Sequence, residues 1–305
     1  MQFEGIVNVL KPPGMTSSDV VVDIRRIYNE KRVGHTGTLD PAAGGVLPIC
    51  IGRATRLFDY LVEKRKEYIA EIRFGVSTDT LDSFGVVTEK ADCEIGMEAL
   101  ESVLPGFLGE IDQLPPIYSS LSVNGVKLYK LARRGEVTEP IEERKRRVTI
   151  HELSIIRQLS KNSFLIRIVC SKGTYIRTLC KDIGAALGVP AYMAFLLRTA
   201  SGSFDIEHSF TIAELRELKE KDSLAGTIIP MDRAVEHIPA LRLDEFSARK
   251  KRLLINGATV PFDAQIPLSE PYRLYIDGEF IGLGVKNAEG LHTTVWLGKE
   301  DNKNG

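Results

Sequence analysis

GHTGTLDPAAGGVLPICIG, residues 34–52, sets four glycines, a histidine, two threonines and an Asp-Pro pair in its first dozen positions and then turns apolar. That density of Gly and Asp-Pro makes a turn-rich loop. The run VLPICI after it, bounded by glycines, has the pattern of a strand buried on both faces. The loop therefore presents a lone carboxylate, Asp40, stiffened by Pro41, just before a buried strand. Two familiar glycine-rich sites do not fit. No Gly-Lys-Ser/Thr follows, as a phosphate-cradling P-loop requires. The loop also precedes its strand, whereas a dinucleotide fingerprint follows one. A lone Asp in such a turn is by default a structural residue, and other parts of the chain must decide whether Asp40 is more than that.

Upstream, KPPGMTSSDVVVDIRRIYNEKR (residues 11–32) opens with a Pro-Pro-Gly turn and continues as a helix capped by Ser17, with Val20, Val21, Ile24 and Ile27 on one stripe. Downstream, ATRLFDYLVEKRK (54–66) reads as an amphipathic helix. EYIAEIRFG (67–75) alternates as a strand, with Tyr68, Ala70, Ile72 and Phe74 on one face and Glu71 and Arg73 on the other. STDTLDSFG (77–85) is polar and turn-rich; its Asp spacing, with no Glu at the required distance, excludes an EF-hand. SFLIRIVCSKGTYIRTLCKDIGAALG (163–188) is a strand, a tight Gly turn and a helix starting near Thr174. FTIAELRELKEK begins with a capping box from Thr211 to Glu214. Beyond about Pro239 the pattern shifts to a short helix ending at Asn256-Gly257 and several short strands, two of them flanking an Asp277-Gly278 hairpin turn.

Arg177 changes the weight given to Asp40. It falls in the first turn of the helix after SKGTY, where the helix dipole disfavours a cation. An Arg placed there implies an anion nearby, a carboxylate or a phosphate. Beside Asp40 it would favour the ionised carboxylate, and an ionised, oriented Asp suits nucleophilic or electrostatic work at a sugar carbon. Tyr68 is either core packing or the floor for a stacked base. His35 is either a loop-tip hydrogen bonder or a nucleic-acid contact. From Lys127 to Arg147 the chain holds eight Lys/Arg against four Glu, interleaved with Tyr129, which is a solvated face or a flexible RNA clamp.

The totals set outer limits. The 305 residues, 43% hydrophobic and 27% charged, are those of a folded chain long enough for one large and one small domain. A formal net charge of −1 carries no hint of nucleic acid, although binding depends on where charge sits. Cys50, Cys93, Cys170 and Cys180 form no CxxC pair and have no His at zinc-ligand spacing, so free thiols in a reducing compartment are expected. The amino terminus has no signal-peptide pattern, and no run approaches the roughly 20 apolar residues of a membrane helix. A cytoplasmic location without membrane contact follows as the expectation.

Four segments, NVLKPPGMTSSD (8–19), GHTGTLDPAAGGVLPICIGRATR (34–56), KEYIAEIRFGVSTDTLDSFG (66–85) and SKGTYIRTL (171–179), in this order and spacing resemble the TruB family, the tRNA pseudouridine-55 synthases. The match runs from about Gly5 to Ser203, and the tail resembles the small RNA-binding PUA module. The resemblance implies an α+β fold: a mixed, largely antiparallel pseudouridine-synthase sheet flanked by helices, with a β-rich PUA-like module. Residues 1–236 would be the catalytic domain, with a thumb-like RNA-binding insert at about 119–150, and residues 237–305 the PUA-like domain. It implies isomerisation of one T-loop uridine of tRNA without cofactor or metal, by a stand-alone bacterial-type enzyme that needs no protein partner and is expected to be a monomer. Asp40 matches the family's catalytic Asp, Arg177 the Arg that contacts it, and Tyr68 the base-stacking Tyr. His35, Tyr175, Leu196, Lys11 and Thr38 fall in the expected substrate-binding set. Lys127, Tyr129, Lys130, Arg133, Arg144, Arg146 and Arg147 form the expected thumb contacts with RNA. A protein that also grips and folds tRNA with the same cleft is compatible with these motifs. Leu10, Ser120, Ser122 and Leu197 depart from common family residues, and none of them is among the catalytic three.

Overall fold

A computed structural model describes residues 3–62, 65–119, 121–123, 125–137 and 142–298. The chain opens with β1 (Gly5–Lys11), α1 (Ser17–Tyr28), β2 (Val33–His35) and β3 (Gly44–Ile51). Helix α1 is capped by Thr16 rather than Ser17: the Thr16 side chain accepts from the Asp19 N–H while the Asp19 carboxylate accepts from the Thr16 N–H. That reciprocal box satisfies two orphan donors and leaves the Ser17 hydroxyl for another task. It donates to the Leu39 carbonyl at 3.1 Å and accepts from the Leu39 N–H at 2.9 Å, so the first turn of α1 grips the residue before Asp40. β3 is buried along its whole length, as its apolar run predicts, and β1 runs antiparallel beside it.

After β3 the expected helix over 54–66 is broken into a 3-10 turn (Gly52–Leu57) and a short α2 (Phe58–Val62). Ala54 and Leu57, three apart, are both fully buried, and a three-residue turn sets such a pair on one side. β4 (Lys66–Phe74) alternates between buried and partly exposed positions as predicted. There follow a hairpin of β5 (Val76–Thr78) and β6 (Val87–Lys90), then α3 (Met97–Val103), β7 (Gly109–Gln113), β8 (Ser122–Val123), β9 (Val126–Lys127) and α4 (Leu128–Arg133). Next come β10 (Arg146–Ser160), β11 (Ser163–Cys170), α5 (Ile176–Ala186), β12 (Ala191–Ser201), β13 (Phe204–Asp205), α6 (Ile212–Glu220) and α7 (Met231–Ala234).

The main sheet of the described residues has the order β1-β3-β12-β4-β11-β10-β7, with β2 on β3 and β13 on β12. Every pairing in it is antiparallel except β3 with β12. That parallel contact brings Gly45 against Arg198, and a Cβ on Gly45, whose φ is +116°, would lie 2.2 Å from the Arg198 carbonyl oxygen. Only glycine allows the two backbones to meet there. Ile24 of α1, Leu179 of α5 and Leu215 of α6 bury against Val9, Ile49, Ile72 and Ile166 of the sheet in one apolar core. The expected mixed, largely antiparallel α+β architecture is what the chain adopts.

The chain then forms β14 (Ala240–Arg242), α8 (Ala248–Ile255), β15 (Pro271–Ile276), β16 (Glu279–Asn287) and β17 (Gly290–Trp296). β14 pairs parallel with β15, and the other contacts of this four-stranded sheet are antiparallel. Asp277 and Gly278 both take positive φ at the β15–β16 turn, as the Asp-Gly dipeptide predicts. Leu254, Val260, Leu274 and Leu291 give this part its own small core. A second apolar cluster joins it to the main sheet: Ile6, Val46, Cys50 and Leu57 pack with Leu283 and Leu297. Arg53 and Arg56 donate across the same seam to the carbonyls of Leu297 and Trp296, at 2.6 and 2.8 Å. No helix among the described residues is long and apolar enough to cross a membrane.

Candidate active site

The Asp40 loop and the start of α5 meet at one end of the sheet. The chain leaves β11, turns through Gly173 at positive φ and enters α5, which places Arg177 in the first helical turn. Arg177 Nε lies 2.9 Å from Asp40 Oδ2. Its Nη1 donates to the Thr80 carbonyl at 3.0 Å and its Nη2 to the Tyr118 carbonyl at 2.9 Å. The guanidinium is thus used on three sides, which offsets its unfavourable position at the positive end of the helix dipole. The Arg177 side chain is 5% exposed and that of Asp40 33%, so the cation lies behind the carboxylate and the carboxylate faces out.

A second carboxylate belongs to the same group. Asp82 is buried, with Oδ2 3.9 Å from Arg177 Nε and Oδ1 accepting from the Thr80 hydroxyl and the Phe84 N–H. In the sequence Asp82 is one residue of a polar turn that fails as a calcium loop. Its local signal, an Asp within a tight turn, is common. Only the tertiary approach of α5 distinguishes it.

Around Asp40 is a cleft of about 290 Å³ whose walls include Thr38, Tyr68, Tyr175, Leu196, Arg146 and Lys172, at the small end of the range for ligand sites. Tyr68 reaches it from β4 and is largely buried; burial pushes its phenol up, with the nearby Arg198 partly opposing. Tyr175 caps α5 and is held by Gln113: the Tyr175 N–H donates to Gln113 Oε1 at 2.9 Å, and Gln113 Nε2 donates to the Tyr175 carbonyl at 3.3 Å. The Arg146 guanidinium lies 5.8 Å from the centroid of the Tyr175 ring, within cation–π reach. Lys66, buried two residues before Tyr68 on the same face of β4, is pushed down to about 8 by burial and by the positive charge of Arg198.

Two residues expected to meet substrate are placed otherwise. Lys11 is 1% exposed and its ammonium donates to the carbonyls of Pro12 and Met15 at 2.9 and 2.6 Å, so it braces the Pro-Pro-Gly turn instead of opening onto the cleft. Burial pushes it down to about 8, with Asp40 opposing and Arg198 assisting. His35 ends β2 outside the cleft walls, its Nδ1 facing the Gly37 N–H at 3.4 Å, and burial lowers its pKa.

The expected thumb residues divide. Arg146 turns into the cleft. Arg147 is exposed but paired with Asp112 and Glu110 of β7 at 3.4 and 3.9 Å. Lys127, Lys130 and Arg144 are exposed, and Tyr129 is half-buried. The side chain of Arg133 lies outside the described residues, as does Ser120.

Comparison with known proteins agrees with this geometry. Residues 25–176 match the TruB family pseudouridylate synthase (N terminal domain), and residues 177–236 match the tRNA pseudouridylate synthase B C-terminal domain. The tRNA pseudouridine synthase B of Caldanaerobacter subterraneus subsp. tengcongensis is 46% identical over 296 residues, covering 95% of this chain and 98% of its own. That of Alkaliphilus oremlandii is 42% identical over 292 residues, covering 94% of each. Among solved structures, an H/ACA ribonucleoprotein bound to a substrate RNA containing 2′-deoxyuridine superposes with a TM-score of 0.74 at 26% identity, covering 97% of this chain and 86% of that one. An archaeal box H/ACA Nop10–Cbf5 complex gives 0.68 at 28%, covering 95% and 80%. With two contiguous family domains matched over most of the chain, and a cleft built around Asp40 and Arg177, the chain belongs to the TruB family of pseudouridylate synthases.

Proposed function

We propose that the protein converts the T-loop uridine at position 55 of tRNA to pseudouridine, with Asp40 as the catalytic carboxylate, Arg177 as its partner and Tyr68 as the stacking floor. The observation that carries this reading is the 2.9 Å contact between a half-open Asp40 and a buried Arg177 at the mouth of a nucleoside-sized cleft. In the reaction the N1–C1′ bond breaks, the base turns, and a C5–C1′ bond forms; C5 then loses its proton and N1 gains one. Positive character builds at C1′ as the first bond breaks, and a fixed carboxylate stabilises it. The uridine must leave the T-loop stack to reach Asp40, at about a few kcal/mol. Tyr68 and Leu196 offer the two apolar surfaces between which a flipped base would sit, and Tyr175 and Thr38 border its sugar. Arg146 and Lys172 at the cleft wall would meet the phosphates on either side.

In this reading residues 1–236 do the chemistry, the segment around 119–150 lies over the RNA through Lys127, Lys130 and Arg144, and residues 237–305 are a PUA-like RNA-binding domain. The enzyme acts alone, as a cytoplasmic monomer. The first curated relative, matched over 98% of its own length, is a tRNA pseudouridine synthase B, which supports a tRNA substrate. Incubating the protein with unmodified tRNA and mapping pseudouridine by position tests the reading directly: modification at position 55 alone is expected. Asp40→Asn should abolish it while tRNA binding changes less than about threefold. Product formed by that variant, or at unrelated positions, would overturn the assignment.

A further inference from the structure

Among the described residues Arg198 is the largest side chain that is fully buried, at 1% exposure. It stands on β12 directly across from Tyr68 on β4. Its Nε donates to the Val46 carbonyl of β3 at 2.7 Å and its Nη2 donates to the Gly37 carbonyl of the Asp40 loop at 3.3 Å, while its charge beside Tyr68 works against the upward push of burial on the phenol. No carboxylate among the described residues pairs with it. Its charged neighbours are instead Lys11, Lys66 and His35, whose protonated forms it disfavours.

A buried cation surrounded by other bases is costly. A neutral side chain of similar volume would fill the space at lower cost, so packing does not account for an arginine here. It lines the cleft, but at 1% exposure it offers RNA almost no surface. What it does possess is a planar fork with donors in several directions, two of them used on different elements that carry the site, β3 and the Asp40 loop, while its place on β12 sets it beside Tyr68.

We propose that Arg198 is a positioning residue, which locks the Tyr68 ring and the Gly37–Asp40 segment into one relative geometry before RNA arrives. The stacking surface comes from β4 and the carboxylate from the loop before β3, and Arg198 is the side chain that links β12 to that loop beside Tyr68. The proposal rests on the uridine-isomerising reading of the cleft, and it adds that pre-organisation between the two groups is carried by a side chain almost wholly buried in the cleft wall.

The test compares wild-type, Arg198→Lys and Arg198→Met proteins in single-turnover reactions on unmodified tRNA, with tRNA affinity and melting temperature measured in parallel. Arg198→Lys keeps the charge but cannot hold both the Val46 and Gly37 carbonyls. It should lose at least about tenfold in the rate of the chemical step, with affinity within about threefold. Arg198→Met should lose about a hundredfold or more, again in rate and not in affinity. In a Tyr68→Phe background, which removes the hydroxyl beside Arg198, the loss caused by Arg198→Lys should shrink by about threefold or more. Equal losses in both backgrounds, a folded Arg198→Lys protein with wild-type rate, or a loss confined to affinity would each overturn the proposal. If Arg198→Met does not fold, the lysine variant and its cycle with Tyr68→Phe decide the question. Wild-type protein that forms no pseudouridine would strike the reading of the site itself; normal wild-type turnover with unaffected variants would strike only the role of Arg198.

Discussion

Replacing Arg177 with lysine keeps a positive charge in place and removes the fork. In the structure the guanidinium makes three separate contacts: Nε to Asp40 at 2.9 Å, Nη1 to the Thr80 carbonyl at 3.0 Å and Nη2 to the Tyr118 carbonyl at 2.9 Å. A lysine ammonium on a shorter reach can take up one of these positions. A hydrogen bond to a charged group contributes about 1.5–3 kcal/mol. Since Asp40 is one-third exposed, water stands in for part of the missing bond, and the lower half of that range applies. Expressed wholly in the transition state, about 1.5–2 kcal/mol is a rate loss of about 10- to 30-fold. The carbonyl left without its donor adds local loosening around Thr80 or Tyr118, which lowers stability more than it lowers rate. The assay is single turnover with protein in excess, reading release of tritium from C5 of uridine, since that proton must leave when the C5–C1′ bond forms. A loss in this range, with tRNA affinity nearly unchanged, is expected; Arg177→Ala should be essentially inactive. A folded Arg177→Lys protein at wild-type rate would refute this reasoning, because Asp40 would then need nothing from its guanidinium partner in the chemical step.

Other perturbations test other parts of the structure. Gly45→Ala should cost several kcal/mol, because its Cβ would fall 2.2 Å from the Arg198 carbonyl oxygen. Gly44→Ala, whose Cβ would lie 3.4 Å from Pro13, should stay within about 1 kcal/mol; equal denaturation midpoints for the two would rule out a close backbone approach at Gly45. Lys66 is held near 8 against an ordinary 10.5, so between those values the unfolded chain binds more protons and stability rises with pH across the window. The difference between wild-type and Lys66→Met stability should therefore shift in favour of wild type by up to about 3 kcal/mol from pH 7 to pH 10, and a flat difference would remove the buried-cation account. Neutralising Lys127, Lys130 and Arg144 should lower the salt slope of tRNA binding by up to about 0.7 for each phosphate they neutralise in the wild type, whereas neutralising Arg147, already paired with Asp112 and Glu110, should change it little. Thr16→Ala should cost about 1 kcal/mol of stability, and Ser17→Ala should slow turnover more than it lowers the melting temperature, because its hydroxyl holds Leu39 beside Asp40.

That Arg177 needs an anion was legible in the sequence because a cation in the first turn of a helix is locally unfavourable; that the anion is Asp40 came from the resemblance of the motifs, since the local pattern allowed a carboxylate or a phosphate. Alternation in β4 and the uninterrupted apolar run of β3 were legible for a similar reason, since each is a local pattern with one sheet-forming solution. Placement of the helix cap was not: Thr16 and Ser17 are equally good caps, and only the docking of Leu39 onto Ser17 selects between them. The shared burial of Asp82, Lys66 and Arg198 near the cleft could not be read in advance, because a polar residue's burial depends on which distant strand or helix lies opposite. Lys11 shows the same limit in reverse. A lysine beside two prolines looks available to a ligand until the turn folds its ammonium back onto the carbonyls of Pro12 and Met15.

The apolar seam that joins Leu283 and Leu297 to Ile6, Val46, Cys50 and Leu57 has a mechanical meaning. Val46 and Cys50 belong to the same strand that starts at the end of the Asp40 loop, so the carboxyl-terminal unit is bolted to the catalytic loop's own foundation instead of swinging on a tether. In the proposed reading, an RNA that meets both units would have to supply its two points of touch at the spacing this seam sets.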